Sequence, residues 1–257
     1  MIKPLVALTL SCIPLIVNAD CRELGVERSL NKTDYGYTKV ESPVKAGRYA
    51  QRFELRSGDC SAQPEWSDCN TDRERSEVKA RNHIPLNSYK IVKFNVFLPT
   101  DFQSSDKVNT SFGQIHQVGG PSGFSASGLP SRPPLLQFSL KRNDFRMCWH
   151  ANPTAKDSCK WFDISTLDDL KGKWNEVIIE MNTSPSSGYA KVFFNKELKV
   201  DIQEPLYSWN TKEFYFKYGI YNSFVSRHGS PMPTQIAYFD EVQMVDSFNK
   251  LCTKAID

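Results

Sequence analysis

The stretch "FYFKYGIYNS", residues 214–223, carries two different faces on one extended chain. Phe214, Phe216, Tyr218, Ile220 and Asn222 fall on one side, mostly apolar. Tyr215, Lys217, Gly219, Tyr221 and Ser223 fall on the other, because successive side chains of a strand point to opposite faces. This alternation predicts a half-buried β-strand. Its wet side is unusual: two phenols and an ammonium stand where a strand ordinarily shows bland polar groups.

Comparable runs recur along the chain, among them "YAQRFELR", "ERSEVKA", "YKIVKFNVFL", "FGQIHQV", "LLQFSLKR", "NEVIIEMN", "YAKVFFN" and "IAYFDEVQMV". They are rich in β-branched and aromatic residues, and 15 prolines and 13 glycines punctuate the chain. A turn or two around "STLDDLKG" is the one helical expectation. The pattern predicts an all-β protein, a concanavalin A-like β-sandwich or jelly roll with one concave sheet that binds substrate. The Gly- and Ser-rich stretch after Gly120 reads as a loop able to cover a cleft.

At 257 residues, 40% hydrophobic and 12% aromatic, the chain is long enough for a large packed core. Residues 1–19 read as a secretory signal peptide, with an apolar run from Leu5 to Val17 and small residues before Asp20. That run is shorter than the ~20 residues a membrane span needs. Residues 20–257 then form one domain, expected to act as a secreted or periplasmic monomer without membrane attachment. A formal charge of +3, or +2 without Lys3, is too mild to indicate nucleic acid, and none is expected as a partner. Six cysteines remain after the leader, an even number that fits export. Cys60–Cys69 and Cys148–Cys159 are the local pairs, and Cys21–Cys252 would tie the ends together. A zinc site is the competing reading, without a CxxC motif or a nearby pair of histidines to support it.

Three further strand faces share the character of the first. Arg73, Arg75, Glu77 and Lys79 alternate in "RERSEVK", Gln114 and His116 in "QIH", and Arg52, Glu54 and Arg56 in "RFELR". Singly, each reads as a solvated face with cross-strand ion pairs. Side by side, they would attract a polyanion by charge and stack sugar rings on phenols. In combination, "RSEV" at 75–78, "QIH" at 114–116 and "YFKYGIYN" at 215–222 resemble the three signature segments of jelly-roll alginate lyases. The wider sequence, through "YAQRFELRSGDC", "DCNTDRERSEV", "KYGIYNS" and "AYFDEVQM", is similar to the group containing heparin lyase I and glucuronan lyase. Val78, Tyr218 and Ser223 depart from the alginate-lyase pattern.

The resemblance implies β-elimination on an acidic, uronate-containing polysaccharide. Loss of the C5 proton builds charge on the neighbouring carboxylate, which must be stabilised where it develops. Gln114 and Arg75 are the residues for that neutralising role, Tyr221 for the acid at O4, and His116 or Tyr221 for the base. Arg75 and Lys217 are expected to favour the ionised phenol of Tyr221. Lys217, Arg56, Lys79, Glu77 and Tyr215 are candidates for substrate binding. The elimination requires no cofactor; relatives carry a calcium ion, which makes Asp240 in "YFDEV" a candidate structural ligand. A non-catalytic carbohydrate-binding jelly roll is the alternative, and it would not need Gln114, His116 and Tyr221 together. A retaining glycoside hydrolase would show closely alternating acids, and no such run occurs.

Overall fold

The computed structural model describes residues 24–30, 33–63, 66–118, 133–150, 159–206, 211 and 213–252. The segment read as a signal peptide, Cys21 and most of the loop after Gly120 lie outside them. Among the described residues no helix is long and apolar enough to cross a membrane.

The strands in chain order begin with β1 Val26–Ser29, β2 Tyr37–Val40, β3 Ala50–Leu55, β4 Ala62–Gln63, β5 Trp66–Ser67 and β6 Arg73–Ala80. They continue with β7 Ile84–Pro85, β8 Tyr89–Phe97, β9 Asn109–Gln117, β10 Leu136–Lys141, β11 Asp144–His150 and β12 Cys159–Thr166. The last are β13 Trp174–Asn182, β14 Tyr189–Phe194, β15 Glu197–Ile202, β16 Glu213–Ser223 and β17 Gln235–Val245. A single helical turn, Leu167–Leu170, sits where "STLDDLKG" predicts it, capped by the Thr166 hydroxyl accepting from the Asp169 N–H.

Two antiparallel sheets stack into a β-sandwich of the jelly-roll type. The first runs β1-β6-β16-β9-β10-β11-β12, with β7 beside β16, and the second runs β15-β14-β13-β8-β17-β3-β2. The apolar face of the opening stretch lies between them: Phe214, Phe216, Tyr218 and Ile220 are fully buried. Phe216 stacks on Phe94 of the opposite sheet at 5.7 Å between ring centroids, and Phe53 meets Phe239 edge-on at 5.2 Å. Burial of each such ring is worth roughly 1.5–3 kcal/mol. Two polar groups of this inner layer are paired: the Tyr218 hydroxyl donates to Gln51 at 2.6 Å, and Asn222 donates to Gln235 at 2.9 Å. Gly219 is required by its place, with φ +130° and a would-be Cβ 2.4 Å from the Ser76 carbonyl oxygen.

Registers across the first sheet align two rows of outward side chains. One row runs Lys79, Lys217, Gln114, Gln137, Cys148, Trp161; the other runs Arg75, Tyr221, Ser111, Ser139, Arg146, Asp163. Between them the chain takes two steps on β10 (137 to 139), three on β9 (114 to 111) and four on β16 (217 to 221). Extra residues of this kind bend a strand and re-aim its side chains, and here they lie beside the polar residues singled out from the sequence.

Candidate active site

The outer face of β6, β16 and β9 gathers the residues that the sequence patterns single out. At its centre is Glu77, 3% exposed. Its carboxylate accepts from the Gln114 amide at 2.6 Å, the Lys217 ammonium at 2.7 Å and Arg75 at 3.1 Å. These three partners surround the Glu77 carboxylate and fix one another's positions. Arg75 differs from expectation. Its Nε and Nη2 reach the two oxygens of Asp68 at 2.6 Å each, and its Nη1 reaches Glu77. Burial pulls the guanidinium pKa down, but Glu77 and Asp68 more than reverse this and hold it charged. Its fork is engaged by protein carboxylates, which fix its positive charge in place on this face.

Asp68 is the residue that sequence reasoning missed. It is fully buried next to the Cys60–Cys69 disulfide, accepts from the Trp66 indole N–H at 2.9 Å, and has its own N–H on the Ser61 carbonyl. The stapled β4–β5 hairpin thus aims one carboxylate at Arg75. The acid immediately before Cys69 was its only trace in the sequence.

Tyr221 stands in register with Arg75 and Ser111. The Arg73 Nε–H donates to its hydroxyl oxygen at 2.9 Å, and the Arg75 guanidinium lies 4.6 Å from its ring centroid. Two cations therefore surround the phenol, yet its pKa is raised, because desolvation outweighs Arg75 and Arg73. This corrects the expected bias toward phenolate: at neutral pH Tyr221 keeps its proton, and Arg73 occupies its oxygen as a donor.

His116 pairs with Tyr215, its ring stacked on that phenol at 5.4 Å. Its Nδ1 lies 3.0 Å from the Gln117 carbonyl oxygen. A carbonyl only accepts, so Nδ1 carries the hydrogen and Nε2 keeps its lone pair. Burial and the Lys217 charge push the imidazole pKa down to about 4, leaving it neutral above that pH. Tyr215, whose ring also lies 5.9 Å from that of His83, is pushed up to about 12 by burial. Lys217 is pulled down to about 8, by desolvation first and Arg75 second, with Glu77 opposing.

Three candidates lie elsewhere or have other partners. Lys79 shares the row of Lys217 but pairs with Glu27 at 2.7 Å and is half-exposed. Arg56 follows β3 of the opposite sheet, where Glu54 holds its Nε at 2.6 Å and its guanidinium covers the Tyr35 ring. The "RFELR" face therefore does not join the others. Asp240, on β17 of the opposite sheet, accepts from the backbone N–H groups of Lys45 at 2.8 Å, Ala46 at 3.0 Å and Glu241 at 2.7 Å. Calcium takes six to eight oxygen ligands, whereas these partners are donors. Among the described residues no cluster of three or more His, Cys, Asp or Glu ligand atoms gathers around Asp240. Cys148 and Cys159 come together with His150, but as a disulfide, not as metal ligands. Cys252 is disulfide-bonded, and Cys21 lies outside the described residues.

A jelly-roll sandwich whose one face combines a buried ion network, a protonated phenol and a neutral imidazole carries the groups that acid–base catalysis needs. The chain belongs to the polysaccharide lyase family, whose model matches residues 22–243. No sequence among curated proteins matches it. Its fold is similar to that of an endo-β-1,4-glucuronan lyase from the fungus Trichoderma reesei, with TM-score 0.66 and 15% identity over 88% of this chain and 92% of that one. It is also similar to a family 7 alginate lyase in complex with product, with TM-score 0.60 and 15% identity over 84% and 85% of the two chains. An alginate lyase from Corynebacterium sp. gives 0.54 and 16% over 86% and 94%.

Proposed function

We propose that this chain is an exported lyase that cleaves a uronate-containing polysaccharide by β-elimination, leaving an unsaturated uronate end. The observation that supports this reading is the pair of protonation states on one face: His116 neutral with Nε2 open, and Tyr221 protonated, with Lys217, Gln114 and the Arg75 field between them. His116 Nε2 takes the C5 proton, and the C5 electron pair forms the C4=C5 double bond. The C4–O4 bond breaks, and O4 takes the Tyr221 proton. As charge builds on the uronate carboxylate, the Lys217 ammonium and the second amide hydrogen of Gln114 stabilise it, in a site where burial strengthens each charge. Because Tyr221 is not a phenolate at neutral pH, these states support the route in which C5–H and O4 lie on opposite sides of the sugar, as in guluronate or iduronate.

The test is a panel of uronate polymers, covering glucuronan, alginate blocks of each epimer and glycosaminoglycans, assayed for near-UV absorbance of the new conjugated double bond. Absorbance growth on opposite-side polymers is expected. Cleavage confined to glucuronate or mannuronate polymers would move the base role to Tyr221, and no product from any polymer would end the lyase reading for this chain.

A further inference from the structure

The two outward rows do not stop at the catalytic strands. Three strands beyond β9, the first ends at Trp161 on the edge strand β12, and the second reaches Arg146 on β11. Trp161 is 41% exposed, one of few large hydrophobic side chains left in water. The Arg146 guanidinium lies 4.8 Å from its ring centroid. Arg146 is half-buried and, unlike Arg75, makes no ion pair with any carboxylate among the described residues, although Asp163 stands opposite it in register. An exposed indole beside an uncompensated guanidinium suits a sugar ring that bears a carboxylate. The ring stacks its C–H face on the aromatic, and the fork takes the acid in two hydrogen bonds.

Position strengthens the case. Strands in a sheet lie about 4.8 Å apart, close to the length of one hexose in a 1,4-linked chain, so a polymer crossing the strands meets a new strand with each sugar. A chain with its reacting sugar over β16 and β9 carries its next residues over β10 and β11 to β12. The small side chains of Ser111 and Ser139, buried and joined to each other at 3.1 Å, lie on the row between and add no bulk there.

We infer that Trp161 and Arg146 form a distal subsite for a uronate residue of the polymer, two to three sugars from the bond that is cleaved. This rests on the lyase reading above and adds to it a preference for long chains. The site works in binding and has no part in the chemistry, so its loss is felt only by substrates long enough to reach it.

The experiment compares Trp161→Ala and Arg146→Met with the unaltered chain, on a uronate polymer and on the shortest oligomer that is still cleaved. For each variant the expected result is a KM about tenfold higher on the polymer, the weight of one stacking or ionic contact, with kcat kept. On the short oligomer both constants stay unchanged. An unchanged KM on the polymer overturns the subsite, as does an equal loss on both substrates. Calorimetric titration of the same polymer into Tyr221→Phe, with and without Trp161→Ala, separates the two readings. Polymer that binds and is weakened by Trp161→Ala keeps the subsite even if no polymer is cleaved. Binding that Trp161→Ala leaves unaltered, or no binding at all, removes it.

Discussion

Both sheets set a buried lysine–glutamate pair on their outer face, and the two clusters differ in balance. On the first sheet, Lys217, Arg75 and Arg73 stand with two carboxylates, Glu77 and Asp68, and a phenol. On the second, Lys93 lies 3.3 Å from both Glu176 and Glu241, and the Asn95 amide donates to Glu241 at 3.2 Å. Among the described residues, three cations meet two carboxylates in the first cluster, and one cation meets two carboxylates in the second. A buried ion network alone is weak evidence of function, since structural networks look the same. The balance of charge, and the presence of groups able to give and take a proton, distinguish the first face from the second.

The largest effect on that comparison is expected from Tyr221→Phe. Loss of a general acid lowers rates by about 10²–10⁴-fold, and the near-UV assay should read a fall of that order while the thermal midpoint stays close to the original. Activity within tenfold of the unaltered chain would show that the first cluster is as structural as the second.

Next come the paired substitutions Glu77→Gln and Glu241→Gln. Removing one partner of a buried ion pair costs about 3–5 kcal/mol, so both variants should unfold at lower denaturant. Glu241→Gln should lose less, because Lys93 keeps Glu176. Activity should separate them further: Glu77→Gln drops kcat/KM at least tenfold as Lys217 and Gln114 lose their anchor, and Glu241→Gln leaves it unchanged in the folded fraction. Equal activity losses would abolish the distinction between the faces.

The pH profile sharpens the same contrast. His116 is protonated below about 4 and ceases to be a base, and Lys217 loses its charge above about 8, so kcat/KM should form a bell between those limits. Glu77 raises the Lys217 pKa, so Glu77→Gln should move the alkaline limb below 8, while Glu241→Gln leaves it in place. Lys217→Arg should push that limb upward, because guanidinium stays charged. An alkaline limb indifferent to both changes would remove Lys217 from the account.

The alternation in 214–223 was sufficient to place its apolar side in the core and its polar side outward, because a period of two is a local property. The grouping of "RSEV", "QIH" and "YFKYGIYN" on neighbouring strands was legible through resemblance, and the registers bear out that adjacency. Local order could not tell which sheet "RFELR" joins, and Arg56 went to the opposite one. Nor could it show that Asp68, carried on a separate stapled hairpin, would take the Arg75 fork. The Tyr221 error has the same root: charge neighbours can be guessed from alternation, but the desolvation that outweighs them depends on packing from several elements at once.

The smallest effect is expected from a chelator, and it tests the second sheet. Asp240 neighbours Glu241 there, and were it a calcium ligand, that face would hold a cation and its charge surplus would be cancelled. The backbone donors from Lys45, Ala46 and Glu241 instead stabilise the Asp240 carboxylate as a fastener between β17 and the segment before β3. Incubation with a chelator should therefore leave both the melting temperature and the rate unchanged. Asp240→Asn should lower the melting temperature whether or not calcium is present, since it weakens charge-assisted bonds to three N–H groups. A chelator-induced drop in melting temperature that added calcium reverses, and that Asp240→Asn abolishes, would show that the second face is built around a cation and not around its hydrogen bonds.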